Sequence, residues 1–215
     1  MENPSQRDMI LEAGFARFRQ HGIRRVTMDD IARELRISKK TIYRHFPDKK
    51  ALVQACADSI VGRILPGVQV AMAGPGSVRE RMSGVLAVMA ELPRLITPAF
   101  IADVRSDYPE VWAEIDRRRQ LVVAFYEKLF EEGRATGEVR PEIHPKVAQR
   151  VIFAVLNNVL IPEVMVMGEF SLAEAFATFA TMLTRGVLSD APPARSRAAA
   201  ARPSRRARSH KESRR

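Results

Sequence analysis

Apolar residues recur along this chain at helical spacing. Leu11, Phe15 and Phe18 fall at i, i+4 and i+7, one face of a helix. Ser5, with Asp8 three residues on, predicts where that helix starts, and His21-Gly22 predicts its end, because glycine accepts the left-handed cap conformation. Thr27 with Asp30 predicts a second helix with Ile31, Ala32 and Leu35 on its apolar side. A short turn at Arg36-Ile37 leads to Ser38, a good N-cap, and a compact third helix that Pro47 stops by disfavouring helix in the residue before it. Asp48 caps a fourth, which runs through Leu52, Val53 and Cys56 toward Arg63.

The later chain reads the same way. Pro66-Gly67 and Ala73-Gly74-Pro75-Gly76 predict breaks. Ser77 and Glu80 open a helix carrying Met82, Leu86 and Met89, which Pro93 ends. Thr97-Pro98 opens the next, and Pro109 a long helix reaching about Gly133, with Gly137 and Pro141 in the loop beyond. Pro145 starts a nearly all-apolar helix to Pro162, and Ser171 with Glu174 caps a last one striped by Leu172, Phe176, Phe179, Leu183 and Val187. Strand alternation bounded by turn residues is missing throughout. The pattern predicts an all-α chain of about nine helices.

Charge divides this chain unevenly. The net charge is +10 over 215 residues, and the segment from Pro192 onward holds eight Arg and one Lys against one Glu, a net +8. Residues 1–58 hold twelve Lys or Arg against eight Asp or Glu, so they carry +4 and the intervening stretch −2. The final segment is rich in Arg, Ala, Ser and Pro and has no large apolar groups to offset chain entropy, which predicts a disordered basic tail over 191–215. The expected division is therefore a head over 1–50, a helical body over 51–190 and that tail. There is no run of about 18 apolar residues, the chain opens on polar Met1-Glu2-Asn3-Pro4, and Cys56 is the single cysteine, so a cytoplasmic protein without disulfides is expected. The four histidines are scattered without ligand spacing, and no metal or cofactor is expected. A capping or loop role suits His144, which precedes Pro145. Cys56 reads as a small buried residue, since a redox sensor needs exposure and a lowered pKa.

The second and third helices with their short turn form a helix-turn-helix. A version that reads DNA needs a helix slim enough for a major groove about 12 Å wide, donors on its outer face and apolar anchors on its inner one. In Ser38-Lys39-Lys40-Thr41-Ile42-Tyr43-Arg44-His45-Phe46, Ile42 and Phe46 face inward and leave Lys39, Lys40, Thr41, Tyr43 and Arg44 outside. Thr27, at a helix N-terminus, and Lys49 suit phosphates, and Tyr43 and His45 have flat bodies that can lie along the backbone. Lys39, Lys40 and Arg44 are candidates for guanine edges, and Thr41 for a thymine methyl.

Residues 8–56 resemble the tetracycline-repressor (TetR) family. The resemblance is carried by Ile10-Leu11-Glu12-Ala13-Gly14 through Phe18 and Gly22, by Thr27-Met28-Asp29-Asp30-Ile31-Ala32, by the segment from Ser38 to Phe46, and by Lys49-Lys50-Ala51-Leu52. Lys40 stands where many members have glycine, which adds bulk and charge beside the reading face. The other three quarters of the chain match only in layout. The resemblance implies a homodimeric repressor with no cofactor and no catalysis. Each N-terminal head would bind half of a palindromic operator in double-stranded DNA, and the C-terminal domain would hold a pocket for a small-molecule effector that releases the DNA. The last two helices would pack against those of the partner.

The body offers candidates for both roles. Trp112, Arg119 and Tyr126 are spaced by seven and share a face of the long helix, as a pocket wall with a cation for an anionic group would need, or as core with Arg119 reaching solvent. Met89, Phe100 and Phe153 are core or pocket. Val151, Val155 and Val159 lie on a helix apolar nearly all round, which predicts burial on more than one side and a dimer face there, shared with Phe176, Phe179 and Leu183. Within that helix Asn157 is placed to face a ligand and Asn158 to fix dimer register, or both bond to nearby backbone.

Two rivals stand beside the ligand-released repressor. One is an effector-independent DNA-binding protein of weak sequence preference driven by the basic tail, which salt dependence separates from a repressor. The other is an enzyme with a binding head, against which the sequence shows no glycine-rich phosphate loop, no metal-ligand spacing and no activated nucleophile.

Overall fold

The computed structural model describes residues 5–158 and 170–189. Nine of its helices have seven residues or more: α1 Gln6–His21, α2 Met28–Glu34, α3 Lys39–His45, α4 Lys49–Ala73, α5 Val78–Met89, α7 Pro98–Asp107, α8 Pro109–Thr136, α9 Pro145–Asn158 and α10 Leu172–Val187. A single turn, α6 Leu92–Leu95, completes the set. Among the described residues there is no strand, only one isolated antiparallel bridge between Val139 and Leu188.

Local chemistry sets the helix starts. Ser5, Thr27, Ser38, Asp48, Ser77 and Ser171 each accept the backbone N–H three residues on, as N-caps do. At Thr27, Ser77 and Ser171 the bond is reciprocated by Asp30, Glu80 and Glu174. Hydrogen bonds from Ser77 and Ser171 pull the Glu80 and Glu174 carboxyls below their ordinary values.

Two expected boundaries move. Pro66-Gly67 does not break the fourth helix, which continues for 25 residues to Ala73 with Pro66 inside it. A proline in mid-helix forfeits one backbone bond. Here Ile60 on one side and Val68 and Met72 on the other are held in packed cores, so tertiary burial outweighs the loss. By length and composition α4 also matches a membrane-crossing helix, with a mean hydropathy of 1.2 over its most apolar stretch, although no unbroken apolar run was found in the sequence. Pro93 does not end α5 either: the helix stops at Met89 and Pro93 sits inside α6.

Two apolar cores lie along α4. The head core gathers Ile10, Phe15 and Phe18 of α1, Ile31 and Ala32 of α2, Ile42 and Phe46 around α3, and Leu52, Val53, Cys56 and Ala57 of α4. Gly14 lets α1 and α4 approach so closely that a Cβ there would stand 2.8 Å from the Leu52 side chain. The head core continues past residue 50, taking in Phe100 and Val104 of α7 and Val111 of α8. The body core joins Val68 and Met72 of α4 to Met82 and Val85 of α5, Tyr126, Leu129 and Phe130 of α8, Ile152 of α9 and Leu183 of α10. The basic tail expected over 191–215 lies outside the described residues.

Candidate nucleic-acid interface and interior cavity

The turn between α2 and α3 is tight. Arg36 takes a left-handed conformation with φ 53°, and the Ile37 N–H returns 3.0 Å to the Ala32 carbonyl. Ile42 is fully buried and Phe46 nearly so, with the Arg7 guanidinium 5.0 Å from the Phe46 ring centre, which fixes the rotation of α3. That rotation leaves Lys39, Lys40, Tyr43 and Arg44 exposed on one side, with Thr41 and His45 partly exposed.

The outer face is pre-arranged by its neighbours. Lys39 pairs with Asp29 of α2, which raises the lysine pKa. Arg44 and His45 both reach the Gln6 amide oxygen at 3.1 Å. Ser38 and Thr41 share a hydroxyl–hydroxyl bond of 2.8 Å. Lys40 and Tyr43 project from the face, with Tyr43 45% exposed. Thr27 is exposed at the start of α2, its hydroxyl donating to Asp30 at 2.6 Å. Lys49 begins α4 half-buried, and desolvation lowers its pKa despite the attraction of Asp103, Asp107 and Asp30. Hydroxyl, phenol, amine and guanidinium donors thus stand exposed or half-exposed along α3 and at the starts of α2 and α4.

The head is clasped to the body at a place that no sequence signal marked. The Asp103 carboxylate of α7 accepts the Ile23 N–H at 2.7 Å and the Arg24 N–H at 3.2 Å. The Arg24 guanidinium grips Asp107 through two bonds of 2.7 Å and donates to the Ser106 hydroxyl at 2.9 Å. Hydrogen bonding from Arg24 and Ser106 brings the Asp107 pKa down to about 2. Gly22 makes the clasp possible: its φ is 78°, and a Cβ there would lie 3.1 Å from the Asp103 carboxylate. Phe15 and Phe100 meet edge to face beside it, 5.7 Å between centres. The partners are some 80 residues apart in sequence, too far for any periodicity to reveal.

Behind the clasp lies a cavity of about 180 Å³. Its wall is apolar except for Arg118 and Arg119, and it draws on α4, α7 and α8 together with Leu156, Leu172 and Phe176. Of the residues the sequence singled out for a pocket, Met89, Phe100, Trp112 and Arg119 lie on this wall. Tyr126 does not: it is buried in the body core, which pushes its hydroxyl pKa up. Phe153 is half-buried away from the wall. Val159 and the side chains of Asn157 and Asn158 lie outside what the structure describes.

The stripe assigned to a dimer face on the last helix is turned inward within the chain. Phe176 is on the cavity wall, Leu183 is in the body core, and Phe179 is half-buried against that core. The spacing marked a buried side of α10 correctly, but the chain's own core covers it. Exposed apolar groups sit elsewhere, at Val147 and Val151 of α9, 57% and 54% exposed, and at Met182 of α10, 69% exposed. Val155 is half-buried against Leu172 and Phe176. Cys56 is fully buried, and burial raises its thiol pKa, as suits a packing residue. The His144 carbonyl accepts the Ala148 N–H at 2.9 Å, in the first turn of α9.

Residues 10–56 match the family model of bacterial regulatory proteins, tetR family. The HTH-type transcriptional regulator UidR of Escherichia coli (strain K12) is 24% identical over 156 residues, 72% of this chain and 79% of UidR. A transcriptional regulator of the TetR/AcrR family from Thermobifida fusca YX-ER1 superposes with a TM-score of 0.62 at 28% identity, covering 84% of this chain and 97% of that one. The chain belongs to the TetR family. This TetR-family protein is a DNA-binding transcriptional regulator, with an N-terminal helix-turn-helix and a helical C-terminal region. Its fold is also that of SmeT, the repressor of the Stenotrophomonas maltophilia multidrug efflux pump SmeDEF, with a TM-score of 0.67 at 20% identity over 86% of this chain and 92% of SmeT.

Proposed function

We propose that this regulator is a homodimeric repressor that leaves a palindromic operator when a small molecule enters the cavity. The observation that carries this reading is the sharing of α4 and α7 between cavity and head. Ala57 and Ile60 of α4 belong to the head core and also line the cavity. Phe100 and Val104 of α7 do the same, while Asp103 and Asp107 on that helix hold the loop that leads into α2. A molecule that forces these walls apart moves both supports of the reading helix.

Two heads add their binding free energies on one operator only when they are spaced for adjacent turns, about 34–36 Å apart. A small change of that spacing in the dimer therefore releases DNA. Val147, Val151 and Met182 supply an exposed apolar surface suited to a second copy of the chain. Thr27 and Lys49 act on phosphates, with Tyr43 along the backbone, and Lys40 and Arg44 read base edges beside Lys39, Thr41 and His45. Ser38 holds the start of α3 in place.

Footprinting on the DNA flanking the protein's own coding region, followed by a metabolite and drug panel scored for loss of the footprint, tests the reading. Tyr43→Ala and Lys49→Ala are expected to abolish most of the specific binding while the melting temperature stays near wild type. A chain that remains single at micromolar concentration and protects no palindrome refutes it.

A further inference from the structure

Two adjacent arginines on the cavity wall differ in how their charge is met. Arg118 is matched twice, by Asp58 at 2.8 Å and Glu114 at 2.6 Å. Arg119 has no carboxylate partner among the described residues. Its guanidinium gives one hydrogen bond, to the Leu156 carbonyl at 2.6 Å, and lies 5.6 Å from the centre of the Trp112 ring. Asp116, one turn earlier, accepts from Gln120 at 2.9 Å and attracts Arg119 only through space, an attraction that Arg105 opposes. Desolvation lowers the Arg119 pKa, whereas a matching anion would raise it. A guanidinium has five N–H donors in a fork shaped for a carboxylate, and an uncompensated charge in an apolar wall is costly.

We infer that the cavity takes a small apolar monocarboxylate, its chain or ring among the aliphatic side chains and its carboxylate on the unmatched fork of Arg119 beside Trp112. This rests on the cavity being the effector site. The surrounding charges argue for an anionic group: Arg105 lies 5.8 Å from the centre of the same Trp112 ring and adds to the positive field at Arg119, so a carboxylate is attracted there and an amine would add a further cation. A neutral ligand of equal size would exclude water from Arg119 while leaving its charge unmet. The size follows from the volume. An apolar cavity of about 150 Å³ holds benzene, so about 180 Å³ with an open side suits a ligand of roughly ten non-hydrogen atoms.

The chain reports on its own occupancy, because Trp112 is its single tryptophan and lies on the cavity wall. Full-length protein is titrated with octanoate, octan-1-ol and octylamine, following Trp112 fluorescence and melting temperature. Octanoate is expected to saturate the signal and to bind at least about tenfold more tightly than the alcohol, as a hydrogen-bonded charge predicts, with the amine weakest. In Arg119→Met, which keeps an unbranched apolar stem and removes the guanidinium, octanoate should fall to the affinity of the alcohol, and Arg119→Lys should lie between. Equal binding of acid and alcohol to the wild type overturns the inference, as does a preference that survives in Arg119→Met, or no saturable response to octanoate. If Arg119→Met fails to fold, the three wild-type titrations decide alone. Operator binding is measured in parallel. Octanoate that binds at Arg119 without loosening DNA refutes the effector reading and leaves the ligand class standing, whereas DNA released equally by octanol refutes the ligand class alone.

Discussion

The head and the body bury apolar residues in different ways. In the head, Ile10, Phe18, Ile31, Ile42, Leu52 and Val53 close on one another with essentially no exposure, and each helix starts on a side-chain cap. In the body, residues of the same chemical kind enclose a void, and the long α8 begins at Tyr108 without a side-chain cap. The head is packed to hold one shape. The body leaves room to be changed, and the clasp of Arg24 and Asp103 ties the one to the other.

Truncation separates the two most sharply. Phe18→Ala empties a fully buried site and is expected to cost about 3–5 kcal/mol in a denaturant titration. Met89→Ala, on a wall that already borders a void, should cost much less. Equal losses would mean that the cavity is filled in solution. Gly22→Ala comes next: a side chain at φ 78° is strained and crowds Asp103, for a loss of about 1–3 kcal/mol. Overpacking tests the comparison from the other side. Ala32→Leu in the closed core should lose about 1–3 kcal/mol, whereas Val123→Ile, pointing a methyl into the cavity, is neutral or gains up to about 1 kcal/mol.

The smallest effect concerns pH. The folded-state pKa of Asp107, about 2, lies below its ordinary 3.8, so its contribution to stability is present above about pH 4 and is lost as pH falls toward 2. Asp107→Asn should therefore unfold less steeply with acid across that window: it is less stable than wild type near neutrality, and the difference closes as pH falls toward 2. An unchanged acid profile would show that the clasp does not form in solution.

Features fixed within a few residues were legible in the sequence, and features made by distant partners were not. The caps at Thr27 and Ser38 and the inward pair Ile42 and Phe46 could be read because capping and helical spacing act over three or four residues. The course of α4 through Pro66 was hidden, since what holds it is burial on both sides of the proline and not local preference. Spacing placed Trp112, Arg119 and Tyr126 on one face, yet only the crossing of α4, α7 and α8 decides that the first two border a void and the third is core. The inward turn of Phe176 and Leu183 has the same cause: periodicity tells that a helix side is covered but not by what.

The 25-residue α4 contributes Leu52, Val53 and Cys56 to one core and Val68 and Met72 to the other. Neither core can melt without stripping part of the helix that the other needs. Calorimetry should then record a single heat-absorption peak whose van't Hoff and calorimetric enthalpies agree, and hydrogen exchange should find the amides of α4 opening only with the whole molecule.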